Sequence, residues 1–209
     1  MNAKLITVAI LASITLGAAA TEPVDMGLSV LWADCNVGAS CAEEPGAIFA
    51  WGATAAVPYF DWAYYPLCKG HFNTLTKYNS NPELGETDGK TVLESEDDAA
   101  SVNCGSPWRT PTDAEWVELI KNCDWTFCTR NDHQGMAARS RLNGAEIFLP
   151  LVYPKSGGEL QRNHGRYWSA TLSDSSCWDA IGVVLYDGGI ERPFCGRFLG
   201  LGVRPVRDR

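Results

Sequence analysis

Turn-forming residues recur along the whole chain and limit it to short regular elements. The 209 residues include 20 glycines and 11 prolines, with Asn and Asp spread between them. These residues end strands and helices, because they supply the positive or fixed φ angles that tight turns need. The sequence contains no repeat, heptad or low-complexity linker. It therefore predicts many short strands that are joined by long loops.

Two segments carry helix signals. Thr112 and Glu115 stand at capping-box spacing, and apolar residues follow at positions 116, 117, 119 and 120. This pattern predicts a helix that ends near Asn122 or Cys123. A second helix is predicted around Ser95 to Val102, because its acidic first residues favour a helix N-terminus.

The other predicted elements are strands, since they are short, rich in β-branched or aromatic residues and bounded by turn residues. They span Ser29 to Ala33, Ile48 to Trp51, Glu146 to Leu149, Arg166 to Ala170, Trp178 to Tyr186 and Leu201 to Val206. Asp187-Gly188-Gly189 indicates a hairpin turn. The predicted fold class is α+β, with one or two helices on small antiparallel sheets and with long loops.

Residues 1–20 have the pattern of a secretory signal peptide. Lys4 precedes the apolar run Leu5 to Leu16, and small residues end at Ala20. We expect cleavage after Ala20, which leaves residues 21–209 as a single secreted or cell-surface domain. The apolar run is shorter than the roughly 20 residues of a spanning helix, so no membrane span is expected.

Charge and cysteine content narrow the class of partner. Loss of Lys4 takes the formal net charge from −8 to −9, and the basic residues are scattered, which disfavours nucleic acid. Eight cysteines in an exported chain favour disulfides, with buried free thiols as the alternative. The three histidines stand far apart and no CxxC occurs, so we expect no metal and no cofactor.

Charged and aromatic residues inside apolar segments have structural interpretations. The acidic residues Glu94, Glu96, Asp97 and Asp98 are interpreted as a helix start or a solvated face rather than a calcium site. Arg109 and Arg204 are expected to pair with carboxylates or backbone carbonyls. Core positions are expected for Asp25 and for five of the eight tryptophans, which are Trp32, Trp51, Trp108, Trp116 and Trp168.

Ordered blocks of sequence carry a family resemblance across nearly all of residues 21–209. The blocks are Val24 to Ala39 with Phe49-Ala50-Trp51-Gly52, Asp97-Asp98-Ala99-Ala100, Trp108 to Trp116, Asn143 to Pro150, Tyr167-Trp168-Ser169 and Val203-Arg204-Pro205-Val206. In this order they resemble the Fibrobacter succinogenes major paralogous domain family of gut bacteria.

The resemblance implies a C-type-lectin-like fold, similar to formylglycine-generating enzymes and to the variable proteins of diversity-generating retroelements. In that fold the C-terminal hairpins display a solvent-facing patch on a rigid sheet. The helix after Arg109 and the terminal Val203 to Val206 segment would be scaffold. A rigid frame that presents variable contact residues is a physically sensible binding device.

The candidate contact surface lies between Ser173 and Leu201, where aromatic, apolar and charged residues mix without clean alternation. Flat aromatic and guanidinium groups offer large contact area for each frozen torsion. The alternative is that Tyr186 and one of the two phenylalanines are core residues. The candidate ligand-binding residues are Asp174, Trp178, Tyr186, Arg192, Phe194, Arg197 and Phe198.

Codon chemistry adds a hypothesis of diversification. Retroelements replace adenines in AAY codons, and the resulting NNY codons cannot encode Lys, Glu, Gln, Met or Trp. The segments Ser169 to Cys177 and Cys195 to Val203 contain only reachable residues, whereas Trp178 and Glu191 are unreachable. The latter two would be fixed scaffold or fixed contacts.

The sequence therefore predicts an exported protein that binds a protein or glycan and is not an enzyme. One alternative is a structural module of a surface assembly that binds no ligand. Another is an oxidase of the formylglycine-generating type, which uses a close C-terminal pair of cysteines. Cys177 and Cys195 are widely separated, and the closer pair Cys123 and Cys128 follows the predicted helix instead.

Overall fold

Short strands dominate the architecture, which belongs to the α+β class. The computed structural model describes residues 21–160 and 164–209, and the predicted signal peptide lies outside them. The helices are α1 (Ala99–Cys104) and α2 (Asp113–Asn122), with 3₁₀ turns at Pro82–Leu84 and Ser95–Asp97. The strands are β1 (Pro23–Val24), β2 (Val30–Ala33), β3 (Ile48–Phe49), β4 (Cys123–Arg130), β5 (His133–Ser140), β6 (Glu146–Pro150), β7 (Lys155–Ser156), β8 (Glu159–Leu160), β9 (Gly165–Leu172), β10 (Asp179–Tyr186), β11 (Gly189–Glu191), β12 (Phe194–Gly196), β13 (Leu201–Gly202) and β14 (Val206–Asp208).

Helix α2 begins where its capping box predicts. The Thr112 hydroxyl accepts from the Glu115 amide at 3.3 Å, and the Glu115 carboxylate accepts from the Thr112 amide at 2.7 Å. These reciprocal bonds satisfy two donors that the first turn would otherwise leave free. Glu115 also receives two hydrogen bonds from Arg109, at 2.6 and 2.9 Å, which confirms the carboxylate pairing expected for that arginine.

The second predicted helix is divided by Asp98. Residues Ser95–Asp97 form a 3₁₀ turn, and α1 begins only at Ala99. The buried Asp98 carboxylate accepts from the amides of Ala100 (2.8 Å) and Thr110 (2.8 Å), so its backbone is extended and caps α1 from outside. The acidic run is therefore a helix start, as predicted, but for a shorter and later helix.

The largest sheet has the order β11-β10-β9-β13-β3, and β12 also pairs with β10. Strands β9 and β10 are antiparallel, with Val184 opposite Arg166. The Asp187-Gly188 turn pairs Tyr186 with Gly189, which confirms the predicted hairpin. Strands β11 and β12 share the outer edge of β10, and Pro193 interrupts that edge, where a residue without an N–H is tolerated.

A three-stranded sheet, β4-β5-β6, contains a hairpin that sequence patterns did not predict. Its turn residues Asn131 and Asp132 both have positive φ, at 45° and 64°, as tight hairpin turns require. Cys123, Trp125 and Phe127 alternate toward the core along β4. The hairpin follows α2 directly, and no Gly or Pro marks the end of the helix in the sequence.

A further sheet, β1-β2-β14, joins the two ends of the described chain. The predicted strand Leu201 to Val206 is two strands, because the chain leaves one sheet after Gly202 and enters another at Val206. Between them the Pro205 carbonyl accepts from the Ala33 amide at 2.8 Å, while Arg204 points into the interior. The predicted strand is interrupted at Arg204 and Pro205, because their contacts with other parts of the fold are incompatible with continuous strand pairing.

Tryptophans occupy the core on both faces of β9, as predicted. Trp168 donates to the Phe49 carbonyl at 2.7 Å, and Trp116 donates to the Trp168 carbonyl at 3.2 Å. Trp32 packs edge-on against Trp116 with ring centroids 4.8 Å apart. All five tryptophans assigned to the core are buried, but the core assignment of Asp25 is wrong, since its carboxylate is exposed and forms a salt bridge with Arg209. Where the tryptophan indole N–H groups donate to backbone carbonyls, these hydrogen bonds connect other elements with β9.

All eight cysteines are free thiols in the structure, but the alternative of buried free thiols holds for Cys35, Cys123 and Cys195 only. Cys123 and Cys128 lie on one strand, five positions apart, so their Cα atoms are separated by about 16 Å. A disulfide needs Cα atoms within about 7 Å. Within residues 21–160 and 164–209, no helix has the length and hydropathy to cross a lipid bilayer.

Candidate ligand-binding cleft

A cleft of about 400 Å³ opens beside the start of β10. One wall is the loop from Ser173 to Trp178, which connects β9 to β10. The opposite wall consists of Ser80, Asn81 and Leu84 together with Lys90 and Thr91. This volume lies in the range of small-molecule sites. We call this feature the cleft.

The β9–β10 loop is held in shape by its own serines. Ser173 is buried, and its amide donates to the Asp179 carbonyl at 3.0 Å, which closes the loop. The Ser173 hydroxyl accepts from the Ser175 amide at 3.2 Å, and the Ser176 hydroxyl accepts from the Trp178 amide at 3.1 Å. Local side-chain bonds of this kind fix a loop without secondary structure.

The opposite wall is organised by Asn79 and Asp88. The buried Asn79 amide group donates to the carbonyls of Asn81 (2.9 Å) and Glu86 (3.1 Å). The Asp88 carboxylate accepts from the amides of Asn79 (3.0 Å) and Lys90 (3.1 Å). Burial alone raises the pKa of Asp88, but these backbone hydrogen bonds outweigh it and lower the pKa below its usual value.

The buried Arg197 side chain forms hydrogen bonds on both sides of the cleft. Its guanidinium donates to the Cys177 carbonyl at 2.9 Å on the loop side. It donates to the carbonyls of Tyr78 (3.1 Å) and Lys77 (3.0 Å) on the opposite side. Because one rigid planar group contacts both walls, their separation is fixed before any ligand arrives.

The mouth of the cleft carries a fixed, exposed indole. Trp178 is 39% exposed, and its Nε1 donates to the Phe72 carbonyl at 3.0 Å. The Phe72 ring stands nearly perpendicular to it, with centroids 5.5 Å apart and an angle of 84°. An aromatic pair in this geometry restrains the indole while leaving one part of its surface open.

The Cys177 thiol lines the cleft within a set of hydrogen-bond donors. Its Sγ accepts from the Ser80 amide at 3.5 Å and lies 3.4 Å from the Ser80 hydroxyl. Burial raises the pKa of Cys177, but the hydrogen bonds from Ser80 and Asn81, together with the charge of Arg197, outweigh it and lower the pKa below its ordinary value. The thiol is therefore more readily ionised than an ordinary cysteine.

We expect Cys177 to react with iodoacetamide at a pH below the usual thiol range, because the thiolate is the reacting form. Ser80→Ala removes one stabilising contact, so its rate–pH curve for Cys177 should move to higher pH. Peptide mass spectrometry resolves Cys177 from the other cysteines. Ser176→Ala is the matched control, since the Ser176 hydroxyl bonds Trp178 instead. An identical curve in Ser80→Ala and the unaltered protein would contradict the effect of Ser80.

Two of the seven residues predicted from sequence lie at the cleft, and the structure separates the rest. Asp174 and Trp178 belong to the loop wall, and both are exposed. Trp178 and Tyr186 are eight positions apart along extended chain, which corresponds to about 26 Å. The seven residues therefore do not form one compact patch.

Arg197 and Phe198 are corrected by the structure. Arg197 is 0% exposed and bonded to backbone carbonyls, so its guanidinium is part of the scaffold. Phe198 is half-buried, and its ring packs against Trp62 with centroids 5.2 Å apart. Both face inward because β12 ends at Gly196 and the chain turns under the loop that carries Trp62.

Tyr186, Arg192 and Phe194 lie along the outer edge of the large sheet. Tyr186 is half-buried and donates to Glu191 at 2.8 Å. Arg192 forms two hydrogen bonds with Asp113, at 2.5 and 2.7 Å. Phe194 is 53% exposed. Tyr186 and Arg192 are engaged within the protein, which weakens the expectation that this edge is the contact surface.

Sequence patterns did not predict the opposite wall of the cleft or the partner of Trp178. Ser80, Asn81, Lys90 and Phe72 come from the long loop region between β3 and α1. No motif marks them, because ordinary polar and aromatic loop residues lack a spacing signal. The aromatic density of residues 59–72 was the available hint.

The acidic cluster of Glu94, Glu96 and Asp97 brings carboxylate oxygens within 4.8 Å of one another. Lys77 lies among them, with its Nζ 2.7 Å from Glu94, 3.1 Å from Glu96 and in contact with Asp97. Hydrogen bonds from Lys77 and Lys90 lower the pKa of Glu94 to about 2. An ammonium group thus takes the position that a cation would need.

The fold belongs to the α+β class, and the cleft, which is lined by both polar and apolar residues, has the volume of a small-molecule site. Comparison with protein-family models, with curated proteins and with solved structures finds no match for the chain.

Proposed function

We propose that this chain is an exported protein that binds a ligand, either a protein segment or a glycan, in the cleft. The observation that carries the proposal is the exposed Trp178 indole, held by Phe72 at the mouth of a concavity of about 400 Å³. Concave sites with a few oriented polar groups and one aromatic surface are the usual form of ligand sites. Export is proposed from the signal-peptide pattern of residues 1–20.

We propose further that the fold is C-type-lectin-like, as the family resemblance implies. Pairing of β14 with β2 and packing of α2 against β9 and β10 support a scaffold role for the corresponding sequence blocks. The β9–β10 connection then presents the variable loop at one end of the sheet. Presentation of contacts on a loop between two paired strands suits the proposed binding role.

Binding, rather than catalysis, is the activity we assign to the cleft. Thiol catalysis needs groups that transfer protons and stabilise developing charge, in addition to a reactive thiolate. The Cys177 thiol is readily ionised, but its hydrogen-bond partner is Ser80, and none of the residues that line the cleft is a histidine that could transfer a proton beside it. Cys195 is buried in the core under β10, so the two C-terminal cysteines do not share an accessible site.

Diversification is compatible with the structure at the loop wall of the cleft, where varied residues would be exposed. The reachable segment Ser169 to Cys177 includes the exposed residues Asp174 and Ser175. The other reachable segment contains Arg197, Leu201 and Val203, all buried, where substitution would damage the core. We therefore propose that Trp178 is a fixed contact beside a loop that tolerates variation.

The test is a binding screen of residues 21–209 on glycan and protein arrays, with hits measured again by titration. Trp178→Ala should weaken binding about 5-fold or more, because truncation of a central aromatic contact costs about 1 kcal/mol or more by typical alanine scanning. Phe194→Ala is the matched control, since it removes an aromatic side chain that is even more exposed than Trp178 and lies outside the cleft. Its affinity should remain unchanged.

Two outcomes contradict the proposal. If Phe194→Ala, Tyr186→Ala or Arg192→Ala abolishes binding while Trp178→Ala does not, the sheet edge is the contact surface. If no ligand is found on either array, a structural role replaces the binding role. Circular dichroism of each variant confirms that the fold is retained.

A further inference from the structure

The chemistry of the cleft favours one class of ligand. Hydroxyl side chains line it on both walls, from Ser80, Thr91, Ser175 and Ser176, and Asn81 adds an amide. Typical sites for apolar small molecules are lined mainly by hydrophobic groups. A site with this many hydroxyl and amide groups is matched by a ligand that itself carries several hydroxyls, since each polar group that the ligand covers needs a hydrogen-bond partner.

Several of these groups have fixed orientations before a ligand binds. The Ser176 hydroxyl already accepts from the Trp178 amide at 3.1 Å, and the Asn81 side-chain oxygen accepts from the Glu83 amide at 3.0 Å. The Asn81 amide nitrogen is thereby oriented as a donor. Preorganised donors and acceptors reduce the entropy lost on binding.

Trp178 supplies an apolar surface next to these polar groups. Its indole is restrained by the hydrogen bond to Phe72 and by the perpendicular Phe72 ring. A pyranose ring has one face of C–H groups and a rim of hydroxyls. That face can stack on the indole while the rim contacts the polar groups, which matches the two chemistries of the cleft.

The charged residues of the cleft favour neither an anionic nor a cationic ligand. Lys90 and Asp174 are its two charged residues and have opposite sign. The Lys90 Nζ also lies 2.6 Å from the Glu94 carboxylate, and this ion pair reduces the electrostatic attraction of Lys90 for an anion. A neutral ligand is therefore favoured over a phosphate or a carboxylate.

Calcium has no evident place in this site. Asp174 is the one carboxylate among the residues that line the cleft. Calcium takes six to eight oxygen ligands and usually several carboxylates. The nearby cluster of Glu94, Glu96 and Asp97 is held by Lys77 instead.

We infer that the cleft binds a neutral pyranose unit without calcium, with its C–H face on Trp178 and its hydroxyls on Asn81 and Asp174. This inference rests on the proposed function and narrows its ligand class. A sugar unit at the end of a chain fits a cleft that is open on one side, since the rest of the glycan can extend past Phe72 into solvent.

Saturation-transfer NMR on residues 21–209 tests the inference with the methyl pyranosides of glucose, galactose, mannose and N-acetylglucosamine. At least one should receive saturation at its ring C–H protons, and EDTA should leave the signal unchanged. Trp178→Ala should weaken the affinity by about 5-fold or more, as expected when a stacking surface is lost. Asp174→Ala removes an exposed group and serves as a second variant that leaves the core intact.

The control is Phe194→Ala, which should bind the same pyranoside with unchanged affinity. Absence of transfer to every pyranoside overturns the inference, as does a signal that EDTA abolishes or that both cleft variants leave unchanged. If the array screen finds a protein ligand that depends on Trp178 while no pyranoside binds, the cleft remains the binding site and the sugar class is wrong. The two failures are thus distinguishable.

Discussion

Replacing Arg197 with lysine is expected to lower the free energy of unfolding by about 3 kcal/mol. Arg197 is fully buried, and its Nε donates to the Tyr65 hydroxyl at 2.8 Å. Its terminal nitrogens donate to the carbonyls of Lys77, Tyr78 and Cys177 at 2.9 to 3.1 Å. A single ammonium cannot reach all four acceptors, so some would remain buried without a partner.

Urea denaturation followed by tryptophan fluorescence measures this loss. Arg192→Lys is the matched control, because Arg192 forms its ion pair with Asp113 at the surface and should change stability by less than about 1 kcal/mol. Since Arg197 holds the two walls of the cleft, its lysine variant should also bind ligand more weakly under conditions where it is folded. Equal midpoints for the two variants would show that the buried network adds no stability.

The second large effect is expected for Arg204→Met, which should cost about 4 kcal/mol of unfolding free energy. Arg204 is fully buried and donates to the Asn36 side-chain oxygen at 2.8 Å. It also donates to the carbonyls of Ala33 (3.0 Å), Asp34 (2.7 Å) and Phe148 (2.8 Å). Methionine fills a similar volume but leaves these acceptors without donors.

Burial lowers the pKa of the Arg204 guanidinium, because removal from water penalises its charge. The hydrogen bonds from Arg204 to the backbone carbonyls offset that penalty, so their loss would leave the buried charge uncompensated. Arg207→Met is the control: its guanidinium lies 5.3 Å from the Trp108 ring near the surface, and the loss should be about 1 kcal/mol. A smaller loss in Arg204→Met than in Arg207→Met would contradict this account.

The elements that sequence patterns predicted correctly are those whose stabilising contacts are local. The capping box of α2 spans Thr112 to Glu115, and the β10–β11 turn is two residues long. The β4–β5 hairpin was missed although its strand alternates, because its Asn131-Asp132 turn lacks glycine. The helix predicted from Ser95 was misplaced because Asp98 bonds Thr110, a contact outside any local window.

The candidate site was predicted in part. The segment Ser173 to Leu201 contains one wall of the cleft, with Asp174 and Trp178. Residue type alone could not separate exposed Phe194 from half-buried Phe198, since both are phenylalanines on one short segment. Their difference comes from which neighbours cover them. The C-type-lectin-like fold that the family resemblance implies is a proposal.

The sequence by itself determined the α+β class, helix α2, the β10–β11 hairpin and the burial of five of the eight tryptophans, because these depend on nearest neighbours and on side-chain hydrophobicity. Only the tertiary structure decided that Arg197 is scaffold and that the cleft has a second wall. The partners of Arg197 lie between 20 and 132 positions away along the chain. Contacts at that separation depend on how loops close over the sheet, and side-chain identity does not encode loop closure locally.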